Sequence, residues 1–338
     1  MPSRPSRKMA AASDAQVPSK SATIHEIAEA AGVSIASVSR ALNGKPGISE
    51  KLRAHILEIS ERIQYQPSAA ARQLISGKNA VVGISMERHS FELRPYYNLL
   101  YRNLTLELHK RGMVPVTISY EDTSNLYLQA GSAILLGREP GDYRPQRLSE
   151  QGIPYIRIDQ PDPGFSIGTD GVDGVYQATR HLIAQGRQHF AYAGEELSHP
   201  LEPIFRVNGF RRALKEAGLA TVCEIPVPFS YNPTLNAYRH MRRMLQTDGL
   251  QFDALICETD EHALGCIAAF EDAGIKVPDQ VAVTGFDDLP LLAAHLTTVR
   301  QDIPQLAAEA VKLLGEAIAG APPRQVLMPV ELILRDTA

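Results

Sequence analysis

From Ala80 onward, short apolar segments alternate with amphipathic ones, and this constrains the fold more than any other feature of the chain. Strand-like runs fall at Ala80–Ser85, Val114–Ser119, Ser132–Leu136, Pro154–Ile158, His189–Ala193, Ala254–Cys257 and Val281–Gly285. Between them, apolar residues recur at helical spacing over Tyr97–Arg111, Val172–Gln185, Arg206–Ala217, Thr234–Gln246, His262–Ala273 and Gln305–Ala319. Repeated strand–helix units imply parallel sheets covered by helices on both faces. The run is long enough for two doubly wound lobes, so the body is α/β. His189, inside an apolar run, reads as a satisfied core residue.

The 80 residues ahead of this body differ in charge. Residues 1–80 hold 11 Lys/Arg and 6 Asp/Glu, or +5, and the rest of the 338-residue chain holds 23 and 32, or −9, which sums to the net −4. A basic head on an acidic body suits a chain in which one part meets phosphate and the rest avoids it. A basic tail with no partner gives the same asymmetry. Residues 1–21 read as a disordered basic arm without the apolar core of a secretory signal, so a cytoplasmic protein is expected. No apolar run reaches the roughly 20 residues that span a bilayer, and no membrane partner is expected. Cys223, Cys257 and Cys266 lack metal-ligand spacing and read as buried free thiols. Neither a metal nor a cofactor is expected.

Thr23 to Asn43 reads TIHEIAEAAGVSIASVSRALN. Thr23 and Glu26 form a capping box that starts a helix at Ile24. Gly32 can take the positive φ that ends it. Ser34 then caps a second helix running to about Leu42. Ala28 and Ala31 are small enough to let the two approach closely, which makes a helix-turn-helix. A third helix starts after Ser49, its N-cap, with Leu52, Ile56, Ile59 and Ile63 on one stripe. A plain helical bundle without a DNA role fits the same pattern. The next segment, QPSAAARQLISGKN, favours a helix too short to hold alone, a hinge helix that folds only when something packs on it.

At this point the chain resembles the lactose-repressor (LacI/GalR) family. The resemblance is carried by TIHEIAEAAGVSIASVSRALNGKPGIS, YQPSAAARQL, VVGI at 81–84, PYYNLL at 95–100, RVNGF at 206–210, VAVTGFDD at 281–288, LTTVRQD at 296–302 and MPVELILR at 328–335. It implies a helix-turn-helix headpiece over 22–66, a hinge helix and linker over 67–79, and an effector-binding and dimerisation body over 80–338. The body would hold two lobes of periplasmic-binding-protein type. Lobe N would cover about 80–165 and 301–323, and lobe C about 166–300 and 324–338.

The resemblance also assigns roles. Ile35, Ala36 and Arg40 would read bases from a major groove. Arg40 can fork onto guanine, and Ile35 and Ala36 can offer apolar contact to a thymine methyl. Ser34, Ser37, Ser39 and Asn43 would hold phosphates, fixing register, and Thr23 and Ile24 would join the DNA-binding set. Ser68, Ala71 and Leu74 would belong to the hinge contact, with Leu74 wedged into the minor groove beside its symmetry mate. Implied partners are operator DNA, a second copy of the chain and a small-molecule effector. No leucine heptad tail follows residue 338, so a dimer rather than a tetramer is expected.

Ligands of open α/β sheets bind beyond the carboxyl ends of the strands. That rule selects Gly137 after AILL, Glu258 and Asp260 after ALIC, Asp170 after FSIG, and Asp287 after VAVTGF. The resemblance adds Tyr96, Tyr97 and Arg206, and Tyr231 lies near an aromatic position of the family. Carboxylates and an arginine converging on one cleft suit a polyhydroxylated ligand, a sugar or sugar-like metabolite. Asp287 and Asp170 also fit helix N-caps, and Tyr96 and Tyr97 fit core. The expected function is a transcription regulator, most simply a repressor, whose affinity for a pseudo-palindromic operator an effector controls. A solute-binding protein and an α/β enzyme are the alternatives. No GxGxxG opens the first βα unit, and the chain has no Walker A loop, HExxH or GxSxG. The ten histidines show no ligand spacing, and no catalytic residue is expected.

Overall fold

Two units make up the chain, Met1–Lys78 and Asn79–Ala338. The computed structural model describes residues 24–42, 47–62, 81–86, 94–121, 130–137, 141–159, 163–194, 206–227 and 232–338, without the side chains of 24–26, 36, 39 and 61.

The first unit holds α1 (Ile24–Ala31), α2 (Ile35–Leu42) and α3 (Glu50–Arg62). Gly32 takes φ 63°, and the Val33 amide donates to Ala28 O at 3.0 Å, so α1 stops and the chain turns into α2. The Ser34 hydroxyl accepts from the Ser37 amide at 3.2 Å, and the Ser49 hydroxyl from the Leu52 amide at 3.3 Å, so both serines are N-caps. At the other end of α2, Arg53 donates to Arg40 O and Ala41 O at 3.2 Å each, satisfying carbonyls a helix end leaves open. Ile27, Val38 and Ile56 are fully buried, with Ala28, Ala41 and Ile59 beside them. Burying each of the three large side chains is worth about 1.5–3 kcal/mol, which suffices for a core this small. Thr23 and Ile63 lie outside the described residues, as does the side chain of Glu26, and with them the capping pair.

The second unit contains two six-stranded sheets. The first runs β11-β5-β4-β3-β1-β2 and the second β12-β10-β9-β8-β6-β7. Its elements are β1 (Val81–Ser85), α4 (Pro95–Lys110), β2 (Val114–Ile118), β3 (Ser132–Leu135), α5 (Arg144–Glu150), β4 (Tyr155–Ile158), β5 (Ser166–Thr169), α6 (Gly171–Ala184), β6 (Phe190–Gly194), α7 (Arg206–Ala217), β7 (Thr221–Pro226), α8 (Pro233–Thr247), β8 (Ala254–Cys257), α9 (Asp260–Asp272), β9 (Ala282–Asp287), β10 (Thr297–Arg300), α10 (Ile303–Ile318), β11 (Gln325–Met328) and β12 (Glu331–Ile333). All pairings are parallel except β10 with β12. In lobe N, α4 and α10 bury Leu100, Leu104, Leu108, Leu306, Val311 and Leu314 against the sheet. In lobe C, α6 and α7 cover one sheet face and α8 and α9 the other.

The lobe boundaries require a correction. Residues 166–169 and 325–328, expected in lobe C, are strands of the lobe N sheet. The chain leaves that sheet only at Asp170, because β5 pairs with β4 on one side and with the edge strand β11 on the other. His189 is a second correction. The strand begins at Phe190, and His189 is an exposed residue with Nδ1 3.8 Å from Asp253. All three cysteines are free; Cys257 and Cys266 are buried, whereas Cys223 is only half-buried.

Three crossovers join the lobes, after β5, β10 and β11, and they are tied together. The Thr169 hydroxyl donates to Gln301 Oε1 at 2.6 Å, and the Asp170 amide donates to Met328 O at 2.9 Å. In lobe N, buried Arg144 bolts the carboxyl ends of β1 and β3 by donating to Ser85 O at 3.0 Å and Leu136 O at 3.2 Å. Asp142 balances its charge from 2.9 Å. Among the described residues no helix is long and apolar enough to cross a membrane.

Candidate functional site

On α2, Val38 and Ala41 face the headpiece core, which turns Ile35 and Arg40 outward. Ile35 is 42% exposed although nothing in the helix requires an apolar residue there. Ser34, at the N-terminus of α2, spends its hydroxyl on the cap and on Ser37 Oγ at 3.0 Å. That end carries the positive end of the helix dipole and suits a phosphate. Ile24, Ala36 and Ser39 lie on α1 and α2, with side chains outside the described ones. Thr23, Asn43, Ser68, Ala71 and Leu74 lie outside the described residues, as does Tyr231 of the effector set.

In the second unit, both lobes contribute to one charged cluster at the carboxyl ends of their strands. From lobe N, the Tyr96 hydroxyl donates to Asp159 Oδ2 at 3.0 Å, and Tyr97 stands edge-on to Tyr96 with ring centroids 5.3 Å apart. From lobe C, Arg206 opens α7 and donates to Glu258 O, lies 3.5 Å from Asp287 Oδ1, and rests flat on Phe286, its guanidinium carbon 3.5 Å from the ring centroid. Gln301 Nε2 donates to Asp287 Oδ1 at 2.6 Å, so the carboxylate is also tied to the Thr169–Gln301 crossover contact. Between the lobes, Arg94 reaches Glu261 at 3.7 Å.

Of the expected residues, Tyr96, Tyr97, Arg206 and Asp287 meet in this cluster. Asp170 sits beside it, since a Cβ on the next residue, Gly171, would lie 3.0 Å from Arg206 Cγ; its carboxylate caps α6 by accepting from Asp173 N at 2.9 Å. Gly137 follows β3 at φ 78° and is buried at the carboxyl end of the lobe N sheet. Asp260, expected to face a ligand, is instead fully buried and structural. Its oxygens accept from Thr298 Oγ1 at 2.5 Å and Leu289 N at 2.8 Å, which fastens the segment after β9. Asp159 and Gln301 were absent from the sequence reading. Asp159 directly follows β4 and obeys the same strand-end rule that selected Asp287.

The electrostatics of the cluster favour protonation. Burial, with the neighbouring charge of Asp287, raises Asp159 to about 6 despite the Tyr96 hydrogen bond. Burial likewise raises Glu261 to about 7 against the pull of Arg94; burial and the charge of Asp287 raise Asp260, and burial raises Asp287 against the pull of Arg206 and Arg94. Burial lowers His262 to about 3, helped by Arg94 and Arg206, so it stays neutral. A carboxyl raised in the folded state holds a proton that the unfolded chain has released. The resulting stability is full below the ordinary carboxylate range and is lost as pH rises through about 6 to 7. Asp142 works oppositely: despite burial, Arg144 holds it low, and its contribution fails only in stronger acid. The raised carboxyls outnumber the lowered imidazole of His262, which the unfolded chain protonates in this range, so the main melting transition should move up when pH drops from about 7.5 to about 5, and Asp260→Asn should flatten that slope. Calorimetry at the two pH values checks this; a transition that moves down refutes the assignment.

A helix-turn-helix unit followed in one chain by two α/β lobes with a polar cleft defines a ligand-responsive DNA-binding regulator. Two family models match: bacterial regulatory proteins of the lacI family over residues 23–68, and a periplasmic binding protein-like domain over 179–338. The chain is 30% identical over 343 residues to the HTH-type transcriptional regulator MalR of Streptomyces coelicolor, covering 92% of this chain and 95% of that protein. Among solved structures, the lac repressor dimer bound to operator and the anti-inducer ONPF aligns with a TM-score of 0.80 at 24% identity, over 94% of this chain and 99% of that one. The CelR–cellobiose complex aligns with a TM-score of 0.68 at 23% identity, over 94% of this chain and 100% of that one. The chain belongs to the LacI family of transcription regulators.

Proposed function

We propose that the chain acts as a homodimeric repressor in the cytoplasm, reading a pseudo-palindromic operator through α2 and releasing it when a sugar-like effector occupies the inter-lobe cleft. The observation that carries this reading is the shared cluster. Arg94, Tyr96 and Asp159 from one lobe face Arg206, Glu261 and Asp287 from the other, so a ligand among them must change how the lobes engage. In its solved structure the lac repressor dimer holds operator and a small molecule, and CelR holds cellobiose, which supports the same pairing of partners here.

A two-fold pair of short helices suits a palindrome, because one such helix touches too few bases for tight selectivity. Coupling between the sites is reciprocal, so operator DNA must change effector affinity by the factor by which effector changes operator affinity. Operator fragments selected from a random pool, followed by effector titration with and without DNA, test the scheme. Equal effector affinities in the two titrations defeat it. Within the same assay, Arg40→Ala should weaken specific binding by about 1–3 kcal/mol and relax one base position, leaving non-specific binding nearly unchanged. An unaltered base preference would remove Arg40 from the reading face.

A further inference from the structure

We propose that the cleft selects a polyhydroxylated ligand that carries a protonated amine, an amino sugar, and discriminates against the acidic counterpart. This rests on the cleft being the effector site.

Among the described residues the cluster is short of positive charge. Asp159, Glu258, Glu261 and Asp287 supply carboxylates, whereas Arg94 and Arg206 are its cations among the described residues. Both arginines are committed. Arg206 is held by Glu258 O and Asp287 and stacked on Phe286, and Arg94 is paired with Glu261 and lies over Tyr97. An anionic ligand would have to strip one of these cations from its partner and leave a carboxylate buried beside it. His262 stays neutral and adds no charge. Burial raises Asp159 to about 6 and Glu261 to about 7, and the Asp287 charge adds to both.

A second observation places an unpartnered hydroxyl on the lobe C wall. The Tyr192 hydroxyl is on a residue only 4% exposed and finds no hydrogen-bond partner among the described residues. It shares this wall with Glu258: a Cβ on Gly194 would lie 2.5 Å from Glu258 Oε2 and 2.6 Å from Tyr192 Cε1. A buried hydroxyl left unpaired costs about 1–3 kcal/mol, so a ligand that reaches it gains that much. An ammonium has three N–H donors, enough for the phenolic oxygen and a carboxylate at once. A neutral hydroxyl can donate to the carboxylate and accept from the phenol but brings no positive charge, and a ligand carboxylate can only accept from the phenol and meets Glu258 as a like charge.

The test uses the full chain with matched trios: glucose, galactose and mannose, each with its 2-amino and its uronate form. Binding is followed by calorimetry at about pH 7.5. In at least one trio the amino sugar should bind at least tenfold more tightly than the neutral parent, with no measurable binding of the uronate. Glu258→Gln and Tyr192→Phe should each reduce the amine-to-parent ratio below threefold, with circular dichroism reporting that both variants fold. A uronate or parent that binds as tightly as the amine overturns the proposal. So does an amine preference that survives both substitutions, or an absence of amine binding in every trio. If a neutral or acidic sugar instead binds and alters operator retention, this inference falls and the effector reading stands. If the amino sugar binds but operator retention is unmoved, the effector reading falls and the ligand class stands.

Discussion

Gly209→Ala should destabilise the second unit by at least about 3 kcal/mol, and any folded fraction should bind effector poorly. Helices α6 and α7 cross where Gly209 has no side chain. A Cβ there would lie 2.0 Å from Val172 O and 2.8 Å from the Tyr176 amide nitrogen. Both are backbone atoms of α6, so no rotamer change can make room, and the helices must separate. Separation would open the contacts of Val175, Val207, Phe210 and Leu214, which bury one face of the lobe C sheet. It would also move Arg206, three residues upstream on α7, off Phe286 and away from Asp287. Gly265 is a matched case in the other helix layer: a Cβ would lie 2.2 Å from Thr234 O, between α8 and α9. Its substitution should cost comparable stability. Gly218→Ala is the control, because nothing lies within 4 Å of a Cβ there, and only its φ of 69° opposes the change. Denaturant melts of the three variants decide the matter. A Gly209→Ala protein as stable as the control would mean that the helices do not meet this closely.

Gly209 shows how far the sequence could be read. RVNGF marks a helix start, and Arg206 does open α7, but a glycine inside a helix does not announce which backbone it admits. The helix-turn-helix was legible because its signals are local. Gly32, Ser34 and Ser49 each act on residues within a few positions, and all three behave as their residue types require. The central strands were legible for a related reason: buried on both faces, they read as continuous apolar runs. The edge strands β7, β11 and β12 carry exposed or half-buried residues, and β5 (SIGT) and β10 (TTVR) are interrupted by polar residues, so none gives such a run. Asp260 misled because its partner Thr298 lies 38 residues away on β10, and only the sheet order brings them together. The Arg94–Glu261 contact is likewise a product of two lobes facing each other, which no local pattern encodes.

Asp287→Ala should abolish the effector response while leaving operator binding by the ligand-free protein unchanged. Asp287 is 3% exposed and sits at φ 114°, a conformation that favours glycine, so the chain bears local strain to keep a carboxylate there. That carboxylate accepts from Gln301 at 2.6 Å and faces Arg206 at 3.5 Å. Truncation leaves a buried guanidinium without its carboxylate partner, a change that typically costs about 3–5 kcal/mol. Effector affinity should fall by at least about a hundredfold, equivalent to about 2.7 kcal/mol. The headpiece, a separate unit, keeps its own core and caps. Asp287→Asn, which keeps the shape and one acceptor, should lose less. Both variants should also bring Asp159 and Glu261 back toward ordinary carboxylates, since the Asp287 charge raises each of them. The acid-side gain in melting temperature should then shrink, a readout independent of any ligand. An Asp287→Ala protein that still responds to effector with its pH profile intact would exclude Asp287 from the cleft machinery.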